Sequence, residues 1–348
     1  MHREVVAPTG DREVLNQSIG RRAFIAGLAG IPGAPLAAEA EQTHPKRQIG
    51  VLVHSTAAVS QEATGSFSHF EAALRERGWV KGRNIAIEYR YSGGKPERLP
   101  DLATELVRLR PDIIVAHTNQ AIAAAKGATT TIPIVMVTAV DPVGDGLVAS
   151  LAHPGSNVTG VTFDVGNEIW GKRLELLREA APEVGRVAVL WNPAYAPNRK
   201  RWSAVEEAAH KLSVALVSDE ARAGGEVESR FALMAKERVR GLFVLGDPML
   251  FGLRRQIADL ALKHRLPSVS PYREGADAGG LIAYGVSLSG MNRQAAQYVD
   301  KILKGAKPRE LPVEQPNTFE LVINAKTAKA LGLTIPPSVL ARADHIIQ

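Results

Sequence analysis

Residues able to bind a small molecule recur at one kind of position in this chain, just after a short apolar run. The run IGVLVH (49–54) leads into Ser55 and Thr56, residues 113–117 lead into Thr118 and Asn119, and residues 134–138 lead towards Val140 and Asp141. In the second half, RVAVLW (186–191) leads into Asn192 and GLFVL (241–245) into Gly246 and Asp247. A short run ending at Ser270 leads into Pro271 and Tyr272, and Tyr284 ends a later one. Small hydroxyls, amides, two carboxylates and two phenols make a set that suits a zwitterion. Hydroxyls and helix N-terminal amides donate to a carboxylate, an aspartate pairs with an ammonium, and aromatic rings cover an apolar side chain. Each residue has a plainer alternative, because Ser, Thr, Asn and Asp after a strand are also the usual helix N-caps. Asp247 is the strongest candidate of the second half: it follows an apolar run and precedes Pro248, a residue suited to the first helical position.

Catalytic patterns are missing from the sequence. It has no G-x-S-x-G, no H-E-x-x-H, no P-loop and no G-x-G-x-x-G after a strand. Gly65-Ser66-Phe67-Ser68-His69 lacks the closing glycine of a nucleophile elbow. The nine histidines are scattered without metal-ligand spacing. His54 and His117 both fall at predicted strand ends, where a polar pocket lining or a satisfied core histidine is the expectation. With no cysteine in the chain, disulfides, thiolate metal sites and a cysteine nucleophile are all excluded. The reading is a binding protein that is not an enzyme and uses no cofactor or metal.

The elements behind these positions alternate. Short β-branched runs predict strands at 49–54, 84–91, 113–117 and 134–138, separated by amphipathic helices at 65–77, 96–109 and 120–126. A second series predicts strands at 186–191, 215–218, 241–245, 268–270, 281–284 and 319–323. Its helices are expected at 168–181, 200–212, 226–237, 250–264, 291–303 and 325–331. Such alternation implies α/β architecture with parallel sheets covered on both faces. Two series suggest two Rossmann-like lobes, and each contains a strand followed by Asp-Pro (Asp141-Pro142, Asp247-Pro248). Residues 155–166, GSNVTGVTFDVG, lack a helical period and suit a crossover strand with hinge residues between the lobes; a plain surface loop is the alternative.

The N-terminal segment is read as an export signal over residues 1–40. Arg21-Arg22-Ala23-Phe24-Ile25 resembles a twin-arginine signal, although Gly20 stands where Ser or Thr is usual, so ordinary Sec export remains open. An apolar run follows, and Ala38-Glu39-Ala40 offers a small-x-small cleavage site. Without an N-terminal cysteine for a lipid anchor, the mature protein is expected to be soluble in the periplasm. The formal charge of +6 is spread among acidic neighbours, as in Arg75-Glu76-Arg77, so no nucleic-acid stripe is expected.

Longer segments carry a family resemblance. They include GWVKGRNIAIEYRYSGGKPERLPDLATELVRLRPDIIV (78–115), TIPIVMVTAVDPVGDGLVASLAHPGSNVTGV (131–161), RVAVLWNP (186–193), AGGLIAYG (278–285) and KPRELPVEQPNTFELVINAKTAKALGLTIPPSVLARAD (307–344). Over essentially the whole mature chain, the sequence resembles the ABC-transporter substrate-binding proteins associated with tryptophan and tyrosine uptake, a branch of the type I periplasmic binding proteins. The resemblance implies two α/β lobes, a multi-strand hinge, capture of a small solute and delivery to an ABC permease. The first lobe would span 46–161 plus 287–313, and the second 162–286 plus 314–348. It also implies that Ser55 and Thr118 take a carboxylate, Asp247 takes an ammonium, and Asn192 and Tyr284 close the far wall. Asp141 would line the first lobe, with Asn119 beside Thr118. In the family the loop after the third strand is commonly Gly-Thr-Pro or similar. Here it is His117-Thr118-Asn119, which keeps the hydroxyl and changes both neighbours. An aromatic amino acid is the leading ligand, and a monomer is expected. A soluble ligand sensor that partners a membrane receptor is the alternative.

Overall fold

A computed structural model describes residues 46–54 and 66–348. The expected export signal, Ser55 and Thr56 lie outside the described residues. The first half of the chain forms a five-stranded sheet in the order β2-β1-β3-β4-β5: β1 (Arg47–Val53), β2 (Ile85–Tyr91), β3 (Ile113–His117), β4 (Ile134–Ala139) and β5 (Val158–Thr162). All its pairings are parallel. Helices α1 (Ser66–Glu76), α2 (Leu99–Arg108) and α3 (Asn119–Ala128) connect its strands. Every residue of β3 is buried, and its side chains divide between two cores. Ile113 and Val115 join one, while Ile114 and Ala116 join the other. Alternate side chains of a strand point to opposite faces, so a strand covered on both sides must be apolar throughout. On α2, Leu99, Leu102, Ala103 and Leu106 are buried, the i, i+3, i+4, i+7 stripe of an amphipathic helix.

The second sheet has seven strands in the order β12-β11-β10-β9-β8-β6-β7. These are β6 (Arg186–Trp191), β7 (Ala215–Glu220), β8 (Gly241–Val244), β9 (Ser268–Ser270), β10 (Ile282–Val286), β11 (Phe319–Asn324) and β12 (His345–Ile347). Its helices are α4 (Glu168–Ala180), α5 (Pro197–Leu212), α6 (Val227–Lys236), α7 (Pro248–Gly252), α8 (Arg254–Lys263) and α9 (Arg273–Asp277). Strand β6 divides like β3, with Val187 and Val189 in one core and Ala188 and Leu190 in the other.

The chain crosses between the sheets three times: after β5, after β10, and before β11. Helix α10 (Leu288–Leu303) leaves β10 and packs on α1, β4 and β5 of the first sheet. Glu314 then bridges Val161 before the chain returns to form β11. Two short helices, α11 (Ala325–Leu331) and α12 (Pro337–Leu340), precede β12.

Several elements differ from the sequence expectation. The helix expected over 250–264 is two helices, α7 and α8, separated at Leu253 (φ −99, ψ 8). Asp247 and Pro248 start α7 so early that the chain must turn again before reaching the apolar face of α8. The segment 155–166 contains the edge strand of the first sheet, and the crossing lies beyond that strand. Strand β11 runs antiparallel to β10 because the chain re-enters this sheet after its excursion through α10. The short elements α9, α12 and β12 lack the length for periodicity to reveal them.

Candidate ligand-binding site

The carboxyl ends of β1, β3 and β4 face those of β8 and β9 across a cavity of about 140 Å³. Parallel sheets place their ligands at this end, where the loops leave the strands. His54, Phe67, His117, Thr118, Thr138 and Val140 line it from the first lobe. Tyr195, Arg201, Asp247, Phe251 and Tyr272 line it from the second, and Phe163, Leu288 and Asn292 from the crossing segments and α10. The rings interlock: Tyr272 meets Phe163 edge-on at 5.5 Å and Phe251 edge-on at 5.6 Å. On the opposite wall Phe67 meets His117 at 5.1 Å. Rings arranged this way make a rigid apolar wall with polar groups at few points.

Four of those polar groups have unmet hydrogen bonds among the described residues. Asp247 caps α7 through Oδ1, which accepts from Met249 N at 2.8 Å and Leu250 N at 3.1 Å. Its Oδ2 is buried with no hydrogen bond of ordinary geometry among the described residues, although the Asn192 side chain lies close enough to stabilise the carboxylate. Burial raises this carboxyl to about 6, while the capping amides, the Arg201 charge and the Asn192 side chain pull the other way. His117 Nε2 is likewise buried without a partner, and burial lowers this imidazole to about 4, so the ring is neutral at pH 7. The Thr118 hydroxyl is the third, and Asn292 Oδ1 the fourth. Thr118 has φ 75 and ψ 155, a region almost confined to glycine. Its N–H donates to Val137 O and to Thr138 Oγ1, both at 3.2 Å. Thr138 (φ 59) sits where the register between β4 and β5 shifts, so a local bulge aims its side chain at the cavity.

The sequence-derived residues divide in this geometry. Thr118 and Asp247 line the cavity. Asp141 (φ 48) lines an adjoining chamber of about 360 Å³ and reaches across the lobes to Lys200 Nζ at 2.7 Å. Asn119 is turned into the first lobe: its Nδ2 donates to Val140 O at 2.6 Å and its Oδ1 accepts from Val140 N at 2.9 Å. The same amide also donates to Asp145. Asn192 Oδ1 accepts from Ala194 N at 2.9 Å; the residue lines neither chamber, but its side chain lies beside the Asp247 carboxyl. Tyr284 is also outside both; its carbonyl accepts from Arg173 Nε at 2.6 Å and its ring stacks on Phe319. Ser55 lies outside the described residues. Phe163, Tyr195, Arg201, Phe251 and Asn292 were not anticipated. Arg201 sits a turn inside α5 and reaches the cavity from a helix, which no strand-end rule reveals.

Among the described residues, no group of three or more His, Asp or Glu side chains has the arrangement of a metal site, and no helix is long and apolar enough to cross a membrane. A cavity with aromatic walls, unpaired buried polar atoms and contributions from both sheets is a binding geometry.

Comparison with known proteins agrees. A tyrosine-binding protein of Clostridioides difficile is 25% identical over 264 residues, covering 76% of this chain and 75% of that one. A crystal structure of a conserved domain protein from Vibrio cholerae is 28% identical with a TM-score of 0.77, covering 86% of this chain and 99% of that chain. A Streptococcus pneumoniae structure in complex with L-Trp also superposes with a TM-score of 0.77, at 24% identity, over 87% of this chain and 100% of that chain; this likeness bears on the fold. The sequence profile of the ABC transporter substrate binding proteins matches residues 52–347, and the chain therefore belongs to that family.

Proposed function

We propose that this protein captures an aromatic amino acid between its lobes and delivers it to an ABC permease. Asp247 carries the reading. A carboxylate oxygen buried without a partner beside aromatic rings is costly in an empty site and compensated by an ammonium. Phe163, Phe251 and Tyr272 then cover the apolar side chain of the ligand. The relative named as a tyrosine-binding protein supports the same class.

The first lobe of this reading comprises residues 46–161 with 287–313, and the second 162–286 with 314–348. The packing of α10 on α1, β4 and β5 supports the division. Ligand binding shifts the lobes towards closure by the difference in affinity between the two arrangements. Binding proceeds without turnover, by a monomer exported to the periplasm.

Calorimetric titration with Trp, Tyr and Phe tests this, after unfolding and refolding have stripped carried-over solute. The expected result is micromolar or tighter binding to at least one of them. Asp247→Asn should weaken it by about 2–5 kcal/mol, the cost of removing one partner from a buried charge pair. Full affinity in Asp247→Asn would remove the ammonium contact, and no binding to any of the three would remove the ligand class.

A further inference from the structure

The adjoining chamber of about 360 Å³ shares Val140, Phe163, Arg201, Gly246 and Tyr272 with the first cavity. Two of its residues are buried arginines, Arg173 at 1% exposure and Arg201 at 8%. Both guanidinium groups lie by the ring of Trp170, at 4.6 Å and 5.6 Å from its centroid. Their hydrogen bonds within the protein go to neutral oxygens. Arg173 Nε donates to Tyr284 O at 2.6 Å; Arg201 Nη1 donates to Gly246 O at 2.6 Å and to Asn198 Oδ1 at 3.2 Å. Arg173 Nη1 is buried and has no partner among the described residues.

The carboxylates of the same chamber are already engaged. Asp141 is held by Lys200 and Gly144 N, Asp145 by Asn119, and Asp164 by Asp141 N and Thr162 Oγ1. Among the described residues, none forms an ion pair with Arg173 or Arg201. Two buried positive charges without an ion-pair partner are expensive, and among the described residues only the Asp247 carboxyl, near Arg201, offsets this. Burial pulls Arg173 down to about 9; Tyr272 opposes this, and the neighbouring Arg201 charge adds to it. A planar guanidinium is built for a carboxylate, which it grips with two parallel donors.

We propose that Arg173 and Arg201 form an anion subsite that holds the carboxylate of the captured solute. This rests on the solute-capture reading and assigns the acid group to the arginines in place of the hydroxyls of Ser55 and Thr118. Arg201 and Asp247 both line the first cavity, so one α-amino acid can present its two charged groups to them while its side chain stays among the rings.

The test compares L-tyrosine, L-tyrosinamide and 3-(4-hydroxyphenyl)propionate by calorimetry on the wild-type protein. The amide keeps the ammonium and loses the acid; the propionate does the reverse. The expected result is an amide at least about 100-fold weaker than tyrosine, because the site then leaves buried donors unpaired. In Arg201→Gln and Arg173→Gln the acid-to-amide ratio should collapse to within about threefold. Equal binding of acid and amide to the wild-type protein, which needs no variant to fold, would overturn the subsite, as would a ratio unchanged in both variants. If no aromatic compound binds, the ligand class of the preceding section fails on its own. The subsite is then read with acetate and benzoate, which must raise the melting temperature of the wild-type protein and not of Arg201→Gln. No shift with either acid overturns it.

Discussion

Asp247 holds α7 with one oxygen and leaves the other buried beside the cavity, so its substitutions separate two effects. Alanine removes cap and charge together, and the cap alone is worth about 0.5–2 kcal/mol of stability. Asparagine keeps an acceptor for the α7 amides and removes only the charge. The pH dependence follows from the same carboxyl. Burial raises its folded-state pKa from 3.8 to about 6. Its contribution to stability is therefore complete below 3.8 and lost as pH rises through about 6, since folding favours the protonated form. Binding an ammonium has the opposite sign, because it requires the ionised form. Affinity should be full above that value and fall by about tenfold for each pH unit below it. Calorimetry on either side of pH 6 checks this, and Asp247→Asn should flatten the profile. A profile equally steep in the variant would place the titrating group elsewhere. Asp247 and Thr118 could be found from sequence because strand ends of parallel sheets are where ligands sit. Asn119 fits the same rule and is a brace for the β4 loop, a use that only the fold discloses. Arg201 is invisible to the rule because it arrives from a helix.

Strand β5 shows how a backbone detail governs the site. Gly160 has φ 132, and a Cβ there would lie 2.3 Å from Met136 O and 2.7 Å from Met136 N. Only a residue without a side chain lets β5 approach β4 at this point. The β4–β5 register then shifts between Met136 and Ala139, which turns Thr138 towards the cavity and lets its hydroxyl hold the N–H of the strained Thr118. Gly160→Ala should therefore cost stability, by about 2–4 kcal/mol from the strained backbone conformation and overpacking combined. It should also weaken ligand binding, although Gly160 touches no ligand-facing atom. Denaturant unfolding and calorimetry measure the two, and a variant with unchanged midpoint would show that β5 has room to move. The periodicity of the sequence reached the long elements and stopped at such details. The chain 250–264 reads as one helix because its apolar spacing continues through Leu253, whereas the early cap at Asp247 divides it. The antiparallel β11 was unreadable, since its direction depends on where α10 packs and not on its own residues.

Across the whole molecule, the contact between Asp141 and Lys200 joins the loop after β4 to α5, and so one lobe to the other. The Lys200 charge and the Gly144 amide hold the Asp141 carboxyl below its usual range. Lys200 is 83% exposed, so solvent and salt screen the pair, and exposed pairs of this kind contribute little. The buried groups Asp247, Arg173 and Arg201 act where water is excluded and screening is weak. The proposed site therefore predicts a division of labour, in which the exposed pair biases closure slightly and the buried groups set affinity. Lys200→Met should change ligand affinity by a few-fold at most, and the difference from the wild-type protein should vanish at high salt. Asp247→Asn should keep its large deficit at every salt concentration. Titrating both variants along a salt series decides the matter. If Lys200→Met were the more damaging change, or its effect were indifferent to salt, the inter-lobe pair would be a principal determinant of the closed arrangement, and the weight assigned here to the buried arginines and Asp247 would have to move to it.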